Sequence, residues 1–418
     1  MDPALVRGVA LFGPVLVLMG LLRYRPPGPG EIAALILAIS WNAVTLTGVN
    51  VLALRAGWWT FAAEGGTLGG VPLDLLLGWA VLWGGLAVHA LRRLPPLPLP
   101  LPLVVGLAVW IDLAVMPLGE PVLLLGDTWL TGEAVAVAAA LVPGLLLAHW
   151  TITRRHLMLR VLLQAVLATG LMIALPVALS RVPDRPGWAL GLAAQLVIVP
   201  GALVAAAVWE FARTGRGTPL PYDPPVRLVT TGPYAYVRNP MQTSMAAAYL
   251  ILALLDVRFL LAAVVALSYG AGLAAWHENE QLHTRYGSAW TAYRNAVRPW
   301  LPRLRPFHGM QPAVVWIADD CDRCSPVATW ILRRRPIALT VRPAEDHPDG
   351  IRRMTYERAD GTRAEGVAAW AHAAGHLHLG WALLGWTLNL PGLNHFAQLC
   401  ADTFGSGPAA QPARRPAR

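Results

Sequence analysis

The residues best placed to do chemistry lie between Leu228 and Leu282. Thr230 to Met241 reads T-T-G-P-Y-A-Y-V-R-N-P-M, and after an apolar hairpin Trp276 to Leu282 reads W-H-E-N-E-Q-L. A turn-rich polar motif thus opens a pair of apolar segments, and a carboxylate cluster closes it. A hairpin of this kind returns the chain to the side it left, which places Arg238, Asn239, Glu278 and Glu280 at one membrane face. Apolar segments seldom carry such groups without a function. Gly232-Pro233-Tyr234 alone also reads as a loop stop and a helix start; the ordered arginine, asparagine, proline and glutamates add what that reading omits. A helix beginning at Pro240 directs backbone amides and the positive end of its dipole at whatever Arg238 and Asn239 bind, a geometry suited to a carboxylate.

A second group that could do chemistry is Cys321-Asp322-Arg323-Cys324. It follows an apolar run that reads as a strand and precedes one that reads as a helix. A thiol at a helix N-terminus beside an arginine is stabilised as thiolate; it can attack a disulfide, and the second thiol then resolves the mixed disulfide. Two other readings stand beside this one: a structural pair, and a zinc site completed from His372, His376, His378 and Cys400. Zinc requires four ligands, and no second C-x-x-C is present. No metal is therefore assigned, and three cysteines do not suit a disulfide-stapled exported fold.

The segment from about Gly215 to Leu304, with G-P-Y-A-Y-V-R-N-P, two short apolar segments, E-N-E-Q-L and Y-G-S-A-W-T-A-Y, resembles the isoprenylcysteine carboxyl methyltransferase family. The resemblance implies S-adenosylmethionine as cofactor. Gly232, Pro233, Tyr234, Arg238, Asn239, Pro240, Glu278 and Glu280 would bind it, and Arg238 and Glu278 would sit at the reacting centre. Arg238 and Asn239 would then take the methionine carboxylate, and Glu278 or Glu280 the ammonium or the ribose hydroxyls. Two motifs depart from the family pattern. Asn239 stands where histidine is usual and Gln242 where tyrosine is usual, and Asn279 separates what is usually an adjacent glutamate pair. Asparagine still donates to a carboxylate but is no base near neutral pH. Residues Pro312 to Gly407, with D-D-C-D-R-C and the closing L-P-G-L-N-H-F-A-Q-L-C-A-D-T-F-G, resemble the DCC-type thiol–disulfide oxidoreductases. That likeness implies a thioredoxin-like fold with Cys321 and Cys324 as its reactive pair.

The elements that must position these groups are mostly apolar helices. Of 418 residues 56% are hydrophobic and 14% charged, against roughly 25% charged in soluble proteins. Mean hydropathy is +0.49. This is the texture of a polytopic α-helical membrane protein. About nine segments approach spanning length: 4–22, 31–54, 71–91, 101–118, 133–150, 157–180, 187–212, 241–256 and 258–276. The first reads as a retained helix, not a signal peptide. Arginine pairs follow the first, third, fifth and seventh segments (Arg23 and Arg25, Arg92 and Arg93, Arg154 and Arg155, Arg213 and Arg216), and even-numbered exits are poorer or mixed. By the positive-inside rule the N-terminus is outside, and the G-P-Y turn, the glutamates and the C-terminal domain are cytoplasmic. The same placement of arginine accounts for the net charge of +9 without a nucleic acid partner.

Four regions follow: 1–186, transmembrane helices of unassigned role; 187–306, the methyltransferase-like core; 312–407, a small soluble α/β domain; and 408–418, a basic disordered tail. Residues 94–102 read as a stiff Pro-Leu connector. Trp58-Trp59 reads as an interface anchor, and Asp112, mid-span, as the most notable intramembrane acid, either functional or paired with a neighbouring Asn or Trp. The expected function is an integral-membrane methyltransferase of a bacterial inner membrane. Its acceptor would be a lipophilic, isoprenoid or lipid-like molecule arriving from the bilayer, and a thiol/disulfide partner would serve the appended domain. The alternative is a membrane thiol–disulfide oxidoreductase whose methyltransferase-like part is a scaffold.

Overall fold

A computed structural model describes residues 2–63, 65–92, 100–219, 225–269, 275–318, 324–390 and 392–406. Among these, seven helices are long and apolar enough to cross a membrane: α1 Pro3–Tyr24, α2 Pro29–Ala56, α3 Leu73–Leu91, α4 Leu101–Gly119, α5 Trp129–Ile152, α6 Leu157–Ala178 and α7 Gly187–Gly215. The chain is thus a mostly helical, integral membrane protein. The eighth expected span forms α8 Pro240–Ala253, of 14 residues, short of the ~20 a crossing needs. The ninth begins as α9, described over Arg258–Tyr269, and residues 270–274 beyond it lie outside the described residues. Asp256 sits at the turn between them. Its carboxylate accepts from Arg258 Nη2 at 2.6 Å and from the backbone N–H of Arg181 at 3.1 Å, so the polar turn takes residues that an apolar count assigns to the helices.

The chain divides into two compact units, residues 1–175 with 217–224, and residues 176–216 with 225–418. In the first, α1 to α5 surround a core that includes Leu46, Trp83, Leu123 and Leu141. Close helix approach depends on small residues: a Cβ on Gly84 would stand 2.5 Å from the Ile39 backbone nitrogen, so α2 and α3 touch there. Short strands β1 Trp59–Phe61 and β2 Leu123–Leu125 pair antiparallel. Trp59, expected as an interface anchor, is instead 3% exposed and donates its indole N–H to Asn50 Oδ1 at 2.9 Å. Most of the expected Pro-Leu connector, 93–99, lies outside the described residues.

In the second unit α7 packs on α8, and α8 on α9. Helix α10, Ala275–Ala296, bends at Gly287 (φ 52°). Beyond it lie the strands β3 Ala313–Ile317, β4 Leu339–Pro343, β5 Thr355–Arg358 and β6 Arg363–Glu365. They form one sheet in the order β4-β3-β5-β6. Strands β3 and β4 are parallel, joined through helix α11, Cys324–Arg333, and β5 and β6 are an antiparallel hairpin. Three helices follow: α12 Val367–Ala374, α13 Leu379–Leu388 and α14 Leu393–Ala401. Val315, Ile317, Ile331, Tyr356 and Leu377 fill the core of this part. A second cluster, Leu203 of α7 with Tyr236, Met310 and Trp386, joins it to the membrane helices. The basic tail from 407 lies outside the described residues.

Candidate active site

The turn Gly232–Ala235 is a single 3-10 turn, and Gly232 adopts φ +58°, a left-handed conformation that favours glycine. Tyr234 is buried, and its carbonyl accepts from the phenol of Tyr293 at 2.8 Å. Burial pushes the Tyr293 phenol above its ordinary range, and the positive charge of Arg238 acts the other way. Four residues after Tyr234, the backbone of Arg238 and Asn239 is pinned by the carbonyls of Arg298 and Pro299, at 2.9 and 3.2 Å. Arg238 is half-buried. Its guanidinium lies 5.7 Å from the Trp290 ring centroid and donates to the Arg294 carbonyl at 3.3 Å. Tyr286, Trp290 and Tyr293 pack with Leu228, Leu282, Val297 and Phe307, so the aromatic residues of α10 wall the turn.

Asn239 is the N-cap of α8 and Pro240 its first residue, and the Asn239 side chain makes no capping hydrogen bond. In the first turn of α8, Gln242 Oε1 and Thr243 Oγ1 are buried atoms with no hydrogen-bond partner among the described residues. The structure therefore brings Gly232, Pro233, Tyr234, Arg238, Asn239 and Pro240 together around one helix N-terminus. Glu278 and Glu280 fall on the backbone of α10, but their side chains lie outside the described residues. Cys321 also lies outside them. Cys324 opens α11, and its side chain is likewise outside.

One residue at this site was not singled out from sequence. Glu210, near the end of α7, is 7% exposed, and its Cγ would stand 3.0 Å from a Cβ on Gly232. Glu210 Oε1 accepts from Thr214 Oγ1 at 2.8 Å, from Thr231 Oγ1, and from Arg358 Nη2 at 2.9 Å. Arg358 leaves β5 to reach it and also pairs with Asp360 Oδ2 at 2.7 Å. Burial would discharge Arg358, but the charge of Glu210 and the bond to Asp360 outweigh it and hold the guanidinium firmly charged. Burial would likewise raise Asp360. Bonds from Arg358 and Thr362 overcome that and bring it down to about 2. A buried carboxylate thus braces the backbone turn that enters the G-P-Y motif, and a cation from the sheet domain balances it. The available signal was that Glu210 is the one carboxylate within 187–215.

The histidines offered as zinc ligands have other partners. His376 Nδ1 lies 2.8 Å from the Ile337 carbonyl and Nε2 2.9 Å from the Tyr356 hydroxyl. Nδ1 must therefore carry the proton, and Nε2 accepts from the phenol. His372 stacks on Tyr356 at 5.2 Å. Burial lowers both imidazoles, His376 to about 4. No group of three or more metal-ligating side chains assembles among the described residues.

The phospholipid methyltransferase (PEMT) family model matches residues 188–289. No curated protein and no solved structure matches the chain. The matched stretch holds α7, the G-P-Y turn, α8, α9 and the start of α10, and leaves the first six spans and the sheet domain outside it. It is in this stretch, with Arg238 and the N-terminus of α8 at its centre, that the chain is similar to a family of membrane methyltransferases.

Proposed function

We propose that this chain is an integral-membrane, S-adenosylmethionine-dependent methyltransferase acting on a lipophilic acceptor. The observation that carries the reading is the half-buried Arg238 beside the N-terminus of α8, within the stretch that matches the family model. The donor set suits the cofactor. Arg238 and the first amides of α8 take its carboxylate. Glu278 and Glu280 of α10 take its ammonium or hydroxyls. Gln242 Oε1 and Thr243 Oγ1, without partners among the described residues, offer further acceptors. When bound, S-adenosylmethionine supplies an electrophilic methyl group on a sulfonium.

Methyl transfer needs alignment of the acceptor and exclusion of water. Gly232–Tyr234, held from behind by Glu210 and Tyr293, keeps the binding turn in a fixed shape. Trp290, Tyr293 and Phe307 pack against one another at 5.6–5.9 Å and keep water from its rear. Helix α9 exposes Leu260, Leu261, Val264 and Val265, an apolar face that suits lateral approach of a lipid-like acceptor from the bilayer. The arginine pairs at the odd exits favour a cytoplasmic site in a bacterial inner membrane.

The test is calorimetric titration of S-adenosylmethionine and its demethylated product into purified full-length protein beside Arg238→Ala. Saturable binding that the variant loses supports the reading. Absence of binding in folded wild-type protein overturns it. For the sheet domain, a second reading rests on Cys324 opening α11, the next described element after the buried strand β3, the setting in which a C-x-x-C thiol is activated. It would act as a thiol–disulfide exchanger with a thiol partner. A redox titration in which Cys321→Ser abolishes a reversible two-electron couple would support that; no couple in the wild type would end it.

A further inference from the structure

The first six spans carry chemistry that the methyltransferase reading does not use. Asp112 of α4 is fully buried and Glu133 of α5 is 4% exposed. The two carboxyls lie within hydrogen-bonding reach of each other. Trp79 of α3 donates its indole N–H to Asp112 Oδ1. Asp112 Oδ2 and Glu133 Oε1 receive no donor from any described group. An ionised carboxyl only accepts, so two carboxyls in contact need a proton between them. Two unshared charges in an apolar bundle would repel and be desolvated together.

A second observation is independent of the pair. A cavity of about 40 Å³ opens beside Glu133, lined by Asn50, Trp59, Trp79, Trp83 and Met116. Trp83, 1% exposed, lines it, and its indole N–H has no partner among the described residues. A void of this size exceeds the ~10–15 Å³ that one water occupies. Water there would accept from Trp83 and donate to Glu133. The helix backbone is also irregular at this level: α3 carries a π-helical segment, Val81–Leu86, that includes Trp83, and α5 carries one, Val137–Leu141, one turn beyond Glu133. Such segments recur at functional sites.

We propose that the N-terminal unit contains a proton-binding site, in which Asp112 and Glu133 share one proton beside an internal water held by Trp83. Its ligand is a proton, and the site is distinct from the S-adenosylmethionine turn. Charged and titratable groups on the surrounding helices include the Arg7–Asp74 and Arg92–Glu31 pairs, His89 and His149, with Arg23, Tyr24 and Arg55 at the helix ends. The side chains that the two carboxyls meet by hydrogen bonding are Trp79 and each other. The proton therefore answers to this pair and not to a neighbouring cation.

Infrared spectroscopy of the full chain in lipid nanodiscs tests the proposal. At neutral pH the wild type should show the carbonyl stretch of a protonated carboxylic acid, shifted down in D2O. The band should be lost in Asp112→Asn/Glu133→Gln and altered in either single variant. These amide variants keep side-chain shape and supply a donor, so they should fold; thermal unfolding verifies it. A wild type without the band, or a band that survives in the folded double variant, overturns the proposal. So does a band abolished when sodium replaces a bulky organic cation in the buffer, since a metal ion would then hold the site.

Discussion

Arg358 and Glu210 form a buried ion pair within the second unit. Both are buried, and removing one partner of such a pair costs about 3–5 kcal/mol, because the other charge is left without compensation. Arg358→Met should therefore lower stability by that order, as read by denaturant unfolding in detergent. The double change Glu210→Gln/Arg358→Met should recover part of the loss, since the pair and not either residue alone sets the cost. Equal losses in single and double variants would show that the pair does not act as a unit. His376 gives a pH signature. Its folded-state pKa is depressed to about 4, below the ordinary value of about 6.5. The unfolded chain therefore binds the proton first as pH falls, and stability drops between about pH 6.5 and 4, then levels off. At about 1.4 kcal/mol per pH unit the drop amounts to about 3 kcal/mol. A pH series of unfolding curves should show this slope together with that of His372, which burial also lowers, and His376→Gln should remove its own share and leave the rest. Arg238, Asn239 and the G-P-Y residues were legible in the sequence because their order is a motif. Glu210 was not: it belongs to no local pattern, and its partners Thr231 and Arg358 are distant in the chain.

At the level of elements, the entry into α8 is set by one turn. Gly232 combines φ +58° with the close approach of Glu210. Gly232→Ala should thus cost about 1–3 kcal/mol and move Thr231 away from its carboxylate. We expect S-adenosylmethionine affinity to fall together with the melting temperature; unchanged affinity would mean that the turn does not shape the cofactor site. The seven long spans were readable because a 20-residue apolar run has few other uses. The shortness of α8 was readable as well, but its end at Ala253 was not, because an apolar count does not show that Leu254 and Leu255 belong to the turn tied by Asp256 to Arg258 and Arg181. The first strand after residue 312 was visible as a short apolar run ahead of Cys321, and it is β3, Ala313–Ile317. The pairing of β3 with both β4 and β5 depends on contacts far apart in sequence, which no local pattern encodes.

At the scale of the molecule, the sheet domain is built into the membrane helices of its own unit. Tyr236, next to the G-P-Y turn, donates to the Gly375 carbonyl at 3.0 Å and meets Trp386 edge-on at 5.6 Å. A chain truncated after Pro306 would lose these contacts together with Arg358. It should be markedly less stable than the full chain and should bind S-adenosylmethionine weakly or not at all, as size-exclusion, thermal melting and titration would show. Full binding by a folded truncated chain would refute this. The Glu210–Arg358 bond also constrains inheritance. A hybrid in which another sheet domain replaces residues 312–407 must bring an arginine to the equivalent place in its hairpin. Otherwise the host helix must surrender its glutamate at the same time. Substitutions at these two positions, 148 residues apart in the numbering, should therefore be tolerated in matched pairs and selected against singly, so the two halves of this unit are free to diverge only in step.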